Sequence, residues 1–280
     1  MQAAPGTAET REYYATRGWA EVDGDIVEGV LFGPKEDGPI RQAAFRASVH
    51  RIRNALSSAG PPLELLECGC GGYPETTILD LCGHYTGIDF SDPGLAVAAA
   101  TLRKFDIASE LHNADVCDLP FEDESFDAVY SAHTLYHIAD RNSQEAAFGE
   151  IVRVLRDGGV AVLIVANAYP VLFPVQLVKR LIAATPVLAR AVAAAGRTGP
   201  VPYKPLSMRT MRRILEPHGA VDIVCAGIPT VAFNQRVTEH RGLGKLAWHA
   251  ILWLETGHPT QAARLGHHVQ ITFVKGAASA

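Results

Sequence analysis

The side chains most able to do chemistry lie in the stretch 63–73, where an acid and a glycine-rich turn follow a short apolar run. Glu67 ends that run, and glycines occupy positions 69, 71 and 72. Glycine has no side chain, so the backbone of such a turn can approach a ligand closely. Pro74 suits the first turn of a helix, whose positive end favours Glu75. Strand, glycine turn and helix together predict a nucleotide-type pocket at the carboxyl end of a parallel strand.

The glycine spacing bears on which nucleotide this is. The dinucleotide fingerprint G-x-G-x-x-G, counted from Gly69, requires a glycine at position 74, where this chain has Pro74. Asp89 lies at about the right distance for a ribose-binding acid, in an NAD enzyme or in its relatives. The turn and Asp89 alone therefore leave the cofactor open.

Composition narrows the class of protein. The chain has 280 residues, 48% hydrophobic and 20% charged, which fits one large domain or a domain with an insertion. A net charge of −5 gives no basic character that would indicate a nucleic-acid partner. Five scattered cysteines, and an N-terminus without a basic region and apolar stretch, favour a reduced cytoplasmic location. Cys68 and Cys70 lack a second Cys/His pair at zinc spacing, so we predict no metal site.

The pocket must be positioned by alternating strands and helices. We predict strands at 63–67, 84–89, 109–113, 126–131 and 160–166, and helices at 40–59, 74–82, 93–104 and 143–156. Ser207 begins a further helix, followed by a strand at 220–226, a helical stretch at 243–265 and a strand at 268–275. This alternation predicts an α/β fold with a doubly wound, mostly parallel sheet.

The alternation of strands and helices stops at residues 168–206. This segment is apolar and helix-prone, and prolines and basic residues interrupt it. A membrane span needs about 20 uninterrupted apolar residues, so we predict no membrane span here. We expect a helical lid over the pocket, with Tyr169, Phe173 and Tyr203 as wall residues. A homodimer interface and plain core packing are the alternatives. We predict that the chain is a single domain with four parts: an N-terminal arm and helix at 1–60, the pocket-forming half at 61–167, the insertion at 168–206 and the C-terminal part of the sheet at 207–280.

Five stretches, in order along the chain, resemble motifs of class I S-adenosylmethionine-dependent methyltransferases, and the whole is similar to the small-molecule methyltransferases of type 11. These stretches are 67–71, 87–91, 113–121, 126–138 and 150–159. One glycine turn is weak support, whereas five motifs in the family's order are strong. The resemblance implies a Rossmann-like sheet of seven strands with the last one antiparallel. This chain departs from the family's pattern at Tyr73, where the family usually has a third glycine.

The resemblance also implies roles for individual residues toward S-adenosylmethionine. Asp89 would accept hydrogen bonds from the ribose hydroxyls, and Asp115 from the adenine amino group. Phe90 and Val116 would contact the adenine ring. The methionine portion would be contacted by Glu67, Gly69, Gly71 and Ser131. Tyr14 would cover the cofactor, with Tyr13 and Trp19 as neighbours in the same arm. Helix or turn capping by the acids, and core packing by Phe90 and Val116, are the alternatives.

A sulfonium is an activated methyl donor, so such an enzyme mainly aligns acceptor, methyl and sulfur. A hydroxyl acceptor usually also needs a base. His137, just past the fourth predicted strand and with an ordinary pKa near neutrality, is the first candidate, and His133 is the second. A packing role in the loop is the alternative for both.

The predicted reaction is therefore methyl transfer to a small-molecule acceptor, at a hydroxyl of a sugar or secondary metabolite. The alternatives are N- or C-methylation by alignment alone, an NAD-dependent oxidoreductase, and a cofactor-binding protein without catalysis.

Overall fold

The structure is a computed structural model that describes residues 10, 12–14, 21–22, 25–26, 38–170, 203–229 and 242–277. Trp19, Phe173 and most of the predicted lid, residues 171–202, lie outside these ranges. The lid and the homodimer alternative therefore stay predictions.

A seven-stranded sheet forms the centre of the molecule. Its strands are β1 Leu63–Cys68, β2 Cys82–Asp89, β3 Ala108–Asn113, β4 Phe126–Ala132, β5 Leu155–Ala166, β6 Gly219–Gly227 and β7 His268–Lys275. Their order across the sheet is β3-β2-β1-β4-β5-β7-β6. The first five strands pair in parallel, and β7 pairs antiparallel with both of its neighbours. The predicted α/β class and the antiparallel last strand are confirmed. Outside the sheet, Glu21–Val22 pairs with Asp25–Ile26.

The α-helices are α1 Pro39–Ser57, α2 Asp92–Leu102, α3 Arg141–Val154, α4 Met208–Leu215, α5 Gly242–Gly257 and α6 Pro259–Ala262. Short 3-10 helices occupy Thr76–Leu81, Leu135–His137 and Glu216–His218. The Ser91 and Ser207 side chains cap α2 and α4 by accepting hydrogen bonds from the N–H groups of Gly94 and Thr210. No helix in the described ranges is long and apolar enough to cross a bilayer.

The helix predicted at 74–82 is wrong in type and length. The Glu75 side chain accepts the Thr77 N–H and starts a 3-10 turn at Thr76. Cys82 is already extended and pairs with Leu63 as the first residue of β2. The chain between these two fixed points has six residues, which form a short 3-10 helix of two turns.

Helices cover both faces of the sheet. On one face α3 and α4 contribute Phe148, Ile151, Met211 and Leu215 to the core. On the other face Ile52 and Leu56 of α1 pack against β1 and β4. α5 lies beside α1 on this second face, where Trp248 is buried. The face that carries α1 and α5 is also the one on which the cavity described next opens.

Candidate active site

A cavity of about 680 Å³ lies at the carboxyl edge of β1, β2 and β4. Ten of the eleven residues predicted for the site line it: Tyr14, Glu67, Gly69, Gly71, Asp89, Phe90, Asp115, Val116, His133 and His137. The fold therefore brings residues from five separate stretches of sequence to one place.

Ser131 is the exception. It is 1% exposed, and its hydroxyl donates a hydrogen bond of 2.8 Å to the carbonyl oxygen of Cys68. Its side chain points into the sheet and joins β4 to β1, rather than lining the cavity. Ser131 thus holds two strands together, and its expected contact with a cofactor stays a prediction.

The glycine turn after β1 needs glycine at two positions. Gly69 has φ 77° and Gly71 has φ 49°, in the left-handed region that favours glycine. A Cβ added at Gly69 would lie 2.1 Å from Oγ1 of Thr134, so the turn packs against the loop after β4 as well as facing the cavity. Tyr73, where a third glycine was expected, has no left-handed backbone and stands at the cavity wall 46% exposed. Its backbone therefore does not require glycine.

Asp89 is fixed by two backbone donors. Its Oδ2 accepts the N–H of Gly71 at 3.0 Å, and its Oδ1 accepts the N–H of Ser91 at 2.8 Å. Burial raises the pKa of Asp89, and the hydrogen bonds from Ser91 and Gly71 oppose that rise. Each carboxylate oxygen has two lone pairs, so each can accept one more hydrogen bond from a ligand hydroxyl.

Asp115 lies at the end of β3, beside an apolar wall. Its Oδ1 accepts the N–H of Cys117 at 2.9 Å. Val116 is 7% exposed and Phe90 faces the same cavity. The Tyr14 ring packs edge-on at 6.0 Å from Phe90, and the Tyr14 carbonyl accepts the Ser91 hydroxyl at 3.0 Å. A carboxylate between apolar side chains suits a flat ring that carries an amino group.

Glu67 is buried where β1 runs into the glycine turn, and it accepts two hydrogen bonds. Its Oε2 accepts the Tyr85 hydroxyl at 2.8 Å and the N–H of Glu75 at 3.0 Å. Burial raises the pKa of Glu67 to about 8, the two hydrogen bonds lower it, and the nearby charges of Glu75 and Asp89 raise it further. This carboxyl group therefore titrates near neutral pH in the folded chain.

The two candidate bases differ in environment. His137 ends the 3-10 turn after β4, and its ring lies 6.5 Å from that of Tyr14. His133 has φ 61°, and its Nδ1 lies 2.9 Å from the Tyr136 hydroxyl. Burial, helped by the charges of His137 and His267, lowers the pKa of His133 to about 4. His133 is therefore neutral and weakly basic near pH 7.

The cavity has a second wall that the sequence did not predict. It is formed by Arg41, Phe45 and Ser48 of α1, by Trp248 and Glu255 of α5, and by His268 at the start of β7. The helices that carry these side chains are far apart in the sequence, and only their packing brings them together. One signal was available, because Glu255 stands two turns from Trp248 and so shares the buried face of α5.

Comparison with known proteins agrees with this geometry. Residues 66–163 match the methyltransferase domain family. The chain is 35% identical over 148 residues to the O-methyltransferase cnsE of Penicillium expansum, covering 50% of this chain and 52% of that protein. It is 34% identical over 104 residues to the sterol 24-C-methyltransferase ERG6B of Gibberella zeae, covering 36% of this chain and 27% of that protein. These matches thus span about half of the first relative and about a quarter of the second.

The same fold occurs in a solved structure of geranyl diphosphate C-methyltransferase from Streptomyces coelicolor A3(2), in complex with Mg2+, geranyl diphosphate and S-adenosyl-L-homocysteine. The TM-score is 0.58, with 16% identity, and the alignment covers 99% of both chains. At that identity the likeness establishes the fold alone.

Proposed function

Residues 66–163 form a class I S-adenosylmethionine-dependent methyltransferase domain, and from this premise we propose that the chain methylates a small-molecule acceptor at a hydroxyl oxygen. One observation carries the proposal. Acids at or after the ends of three adjacent parallel strands, Glu67, Asp89 and Asp115, line one cavity together with the glycine turn. An NAD-type turn would need a glycine in place of Pro74.

The residues present fit S-adenosylmethionine. Asp89 has acceptor capacity left for the two ribose hydroxyls after binding the Gly71 and Ser91 amides. Asp115 offers an acceptor for the adenine, and Phe90 and Val116 line the same cavity with apolar surface. The glycine turn admits the methionine portion, and Tyr14 covers the site. Electrostatics agree, because a carboxylate-lined cavity favours a cationic sulfonium.

When bound, the cofactor supplies an activated methyl group. The chain contributes alignment of the acceptor, which can remove several kcal/mol of barrier, and a group that takes the acceptor proton. His137 is that group in our proposal, because it follows β4 and lines the cavity. The low pKa of His133 makes it a weak base.

The test starts from an acceptor identified by transfer of a labelled methyl group from S-adenosylmethionine to a panel of hydroxylated metabolites. With that acceptor, His137→Ala should lower kcat by about 10² to 10⁴-fold, while the affinity for S-adenosylhomocysteine stays unchanged. His249→Ala, at an exposed histidine of α5, is the matched control. Wild-type turnover of His137→Ala at saturating cofactor would rule out its role as base.

C-methylation is the second candidate, favoured by the match to a sterol 24-C-methyltransferase. The position of the new methyl group, determined by NMR of the product, distinguishes the two. A methyl carbon bonded to oxygen supports our proposal, and one bonded to carbon supports the alternative.

A further inference from the structure

The cavity extends beyond the cofactor residues to a second end between α1 and α5. Phe45, Val49 and Ile52 line it from α1, and Trp248 and Glu255 line it from α5. The α1 residues are four and three positions apart, and the two α5 residues are seven apart, so each set lies on one face of its helix. None of these residues belongs to the stretches that resemble the family's motifs. This end is therefore a separate surface with its own chemistry.

Glu255 is the polar group at this end. It is 5% exposed, and its Oε1 accepts the N–H of Ile228 at 2.7 Å. Across the described ranges no donor reaches Oε2 of Glu255, although the residue faces the cavity. Glutamate is almost never fully buried unless its charge is paired. An acceptor atom is thus available to a ligand in a site of low polarity.

Arg51 lies beside this carboxylate, but its hydrogen bonds go to backbone oxygens and not to the carboxylate. Its guanidinium donates to the backbone oxygens of Glu255 at 3.3 Å and Cys225 at 3.2 Å. Burial raises the pKa of Glu255, whereas the Ile228 amide and the Arg51 charge lower it. The charge of Arg51 compensates part of the cost of burying Glu255 and leaves its Oε2 for the cavity.

Glu255 lies far from the place of methyl transfer. Ile228, to which it is bonded, directly follows β6, whereas His137 follows β4. β5 and β7 separate β6 from β4. Three interstrand spacings of about 4.8 Å amount to about 14 Å. A molecule that reaches both residues must be elongated.

The wall between the two ends is apolar and carries few charged groups. Trp248 is 3% exposed, and the Arg41 guanidinium lies 5.4 Å from the centre of its ring. Of the five carboxylic acids among the described lining residues, four belong to the cofactor end, and only Glu255 belongs to this one. An acceptor that enters here therefore meets apolar side chains, one carboxylic acid and one arginine.

We propose that Glu255 and Trp248 form a distal acceptor subsite, which binds a hydroxyl on the far end of an elongated and mainly apolar acceptor. This inference rests on the proposed function for the position of the reacting end. Trp248 packs on the body of the acceptor, and Glu255 Oε2 accepts the hydrogen bond of the distal hydroxyl. The subsite therefore selects molecules with polar groups at both ends.

The test uses two model compounds, 4-hydroxy-4′-methoxybiphenyl and 4-methoxybiphenyl, titrated calorimetrically into the full chain saturated with S-adenosylhomocysteine. Only the first carries a hydroxyl that can donate to Glu255. A hydrogen bond to a charged group is worth about 1.5–3 kcal/mol, so this compound should bind the wild type about tenfold or more tightly than the second. Glu255→Gln removes the charge and should reduce this ratio to about threefold or less. Trp248→Phe should weaken both compounds by a similar factor and leave the ratio unchanged.

Glu122→Gln, at an exposed residue outside the cavity, is the matched control. An unchanged ratio in Glu255→Gln, equal affinities in the wild type, or no binding of either compound would overturn the subsite. Failure of S-adenosylhomocysteine to bind would instead contradict the proposed function. The binding step that fails thus separates the two proposals.

Discussion

The backbone N–H of Gly71 donates a hydrogen bond of 3.0 Å to Oδ2 of Asp89. This bond joins the glycine turn after β1 to the acid at the end of β2. Gly71 therefore holds the Asp89 carboxylate in position before any ligand arrives, and the carboxylate in turn stabilises the left-handed turn. Such preorganisation lowers the entropic cost of binding.

Asp89→Asn should weaken S-adenosylhomocysteine binding by about 10 to 100-fold, because hydrogen bonds to a charged acceptor are worth about 1.5–3 kcal/mol. The asparagine NH2 would also face one of the two backbone donors. Isothermal titration calorimetry measures the effect. Asp106→Asn, at an exposed position, should bind like the wild type, and equal affinity of both variants would argue against a ribose contact.

Gly69→Ala should lower the free energy of unfolding by about 2–4 kcal/mol, from left-handed strain and from the clash with Thr134. Gly149→Ala makes an informative contrast. Gly149 lies within α3, and nothing lies within 4 Å of an added Cβ. Alanine there should stabilise the chain by about 0.5–1 kcal/mol. Denaturant unfolding measures both, and changes of the same sign would contradict the described turn.

Glu67→Gln should become more stable than the wild type as pH rises. Glu67 keeps its proton to about pH 8 when folded, whereas its ordinary pKa is 4.5. Between these values the folded state binds more protons, so the wild type loses stability with rising pH, by up to about 5 kcal/mol. Glutamine has no such proton. Unfolding curves from pH 5 to 8 that stay parallel for the two proteins would refute the raised pKa.

His133→Asn tests the opposite dependence. Burial lowers the pKa of His133 from 6.5 to about 4, so the unfolded state binds more protons between these values. The wild type therefore loses stability as pH falls from 6.5 to 4, by up to about 3 kcal/mol. Asparagine tolerates the left-handed backbone and lacks the proton. The advantage of the wild type over the variant should shrink with falling pH, and a constant difference would contradict a buried neutral His133.

The strand ends were the predictable part of the site. Parallel strands place their carboxyl ends at one edge, so the positions of Glu67, Asp89 and Asp115 in sequence were sufficient to bring them together. Ser131 shows the limit of this reasoning. It stands at the same edge, yet its hydroxyl donates to the Cys68 carbonyl, a bond that the order of the strands does not predict.

The second wall could not be predicted. Trp248 and Arg41 meet through the packing of α5 on α1, a contact between segments that lie about 200 residues apart. The sequence predicts that each helix has an inward face, but not which helices pair. For the same reason the buried acid Glu255 had no recognisable role before its neighbours were known.

We infer that this cavity binds S-adenosylmethionine rather than a nicotinamide nucleotide. Calorimetric titration of the wild-type chain with S-adenosylhomocysteine and, separately, with NAD+ distinguishes the two. We expect saturable binding of S-adenosylhomocysteine at one site per chain and no binding of NAD+. Binding of NAD+ without binding of S-adenosylhomocysteine would contradict it.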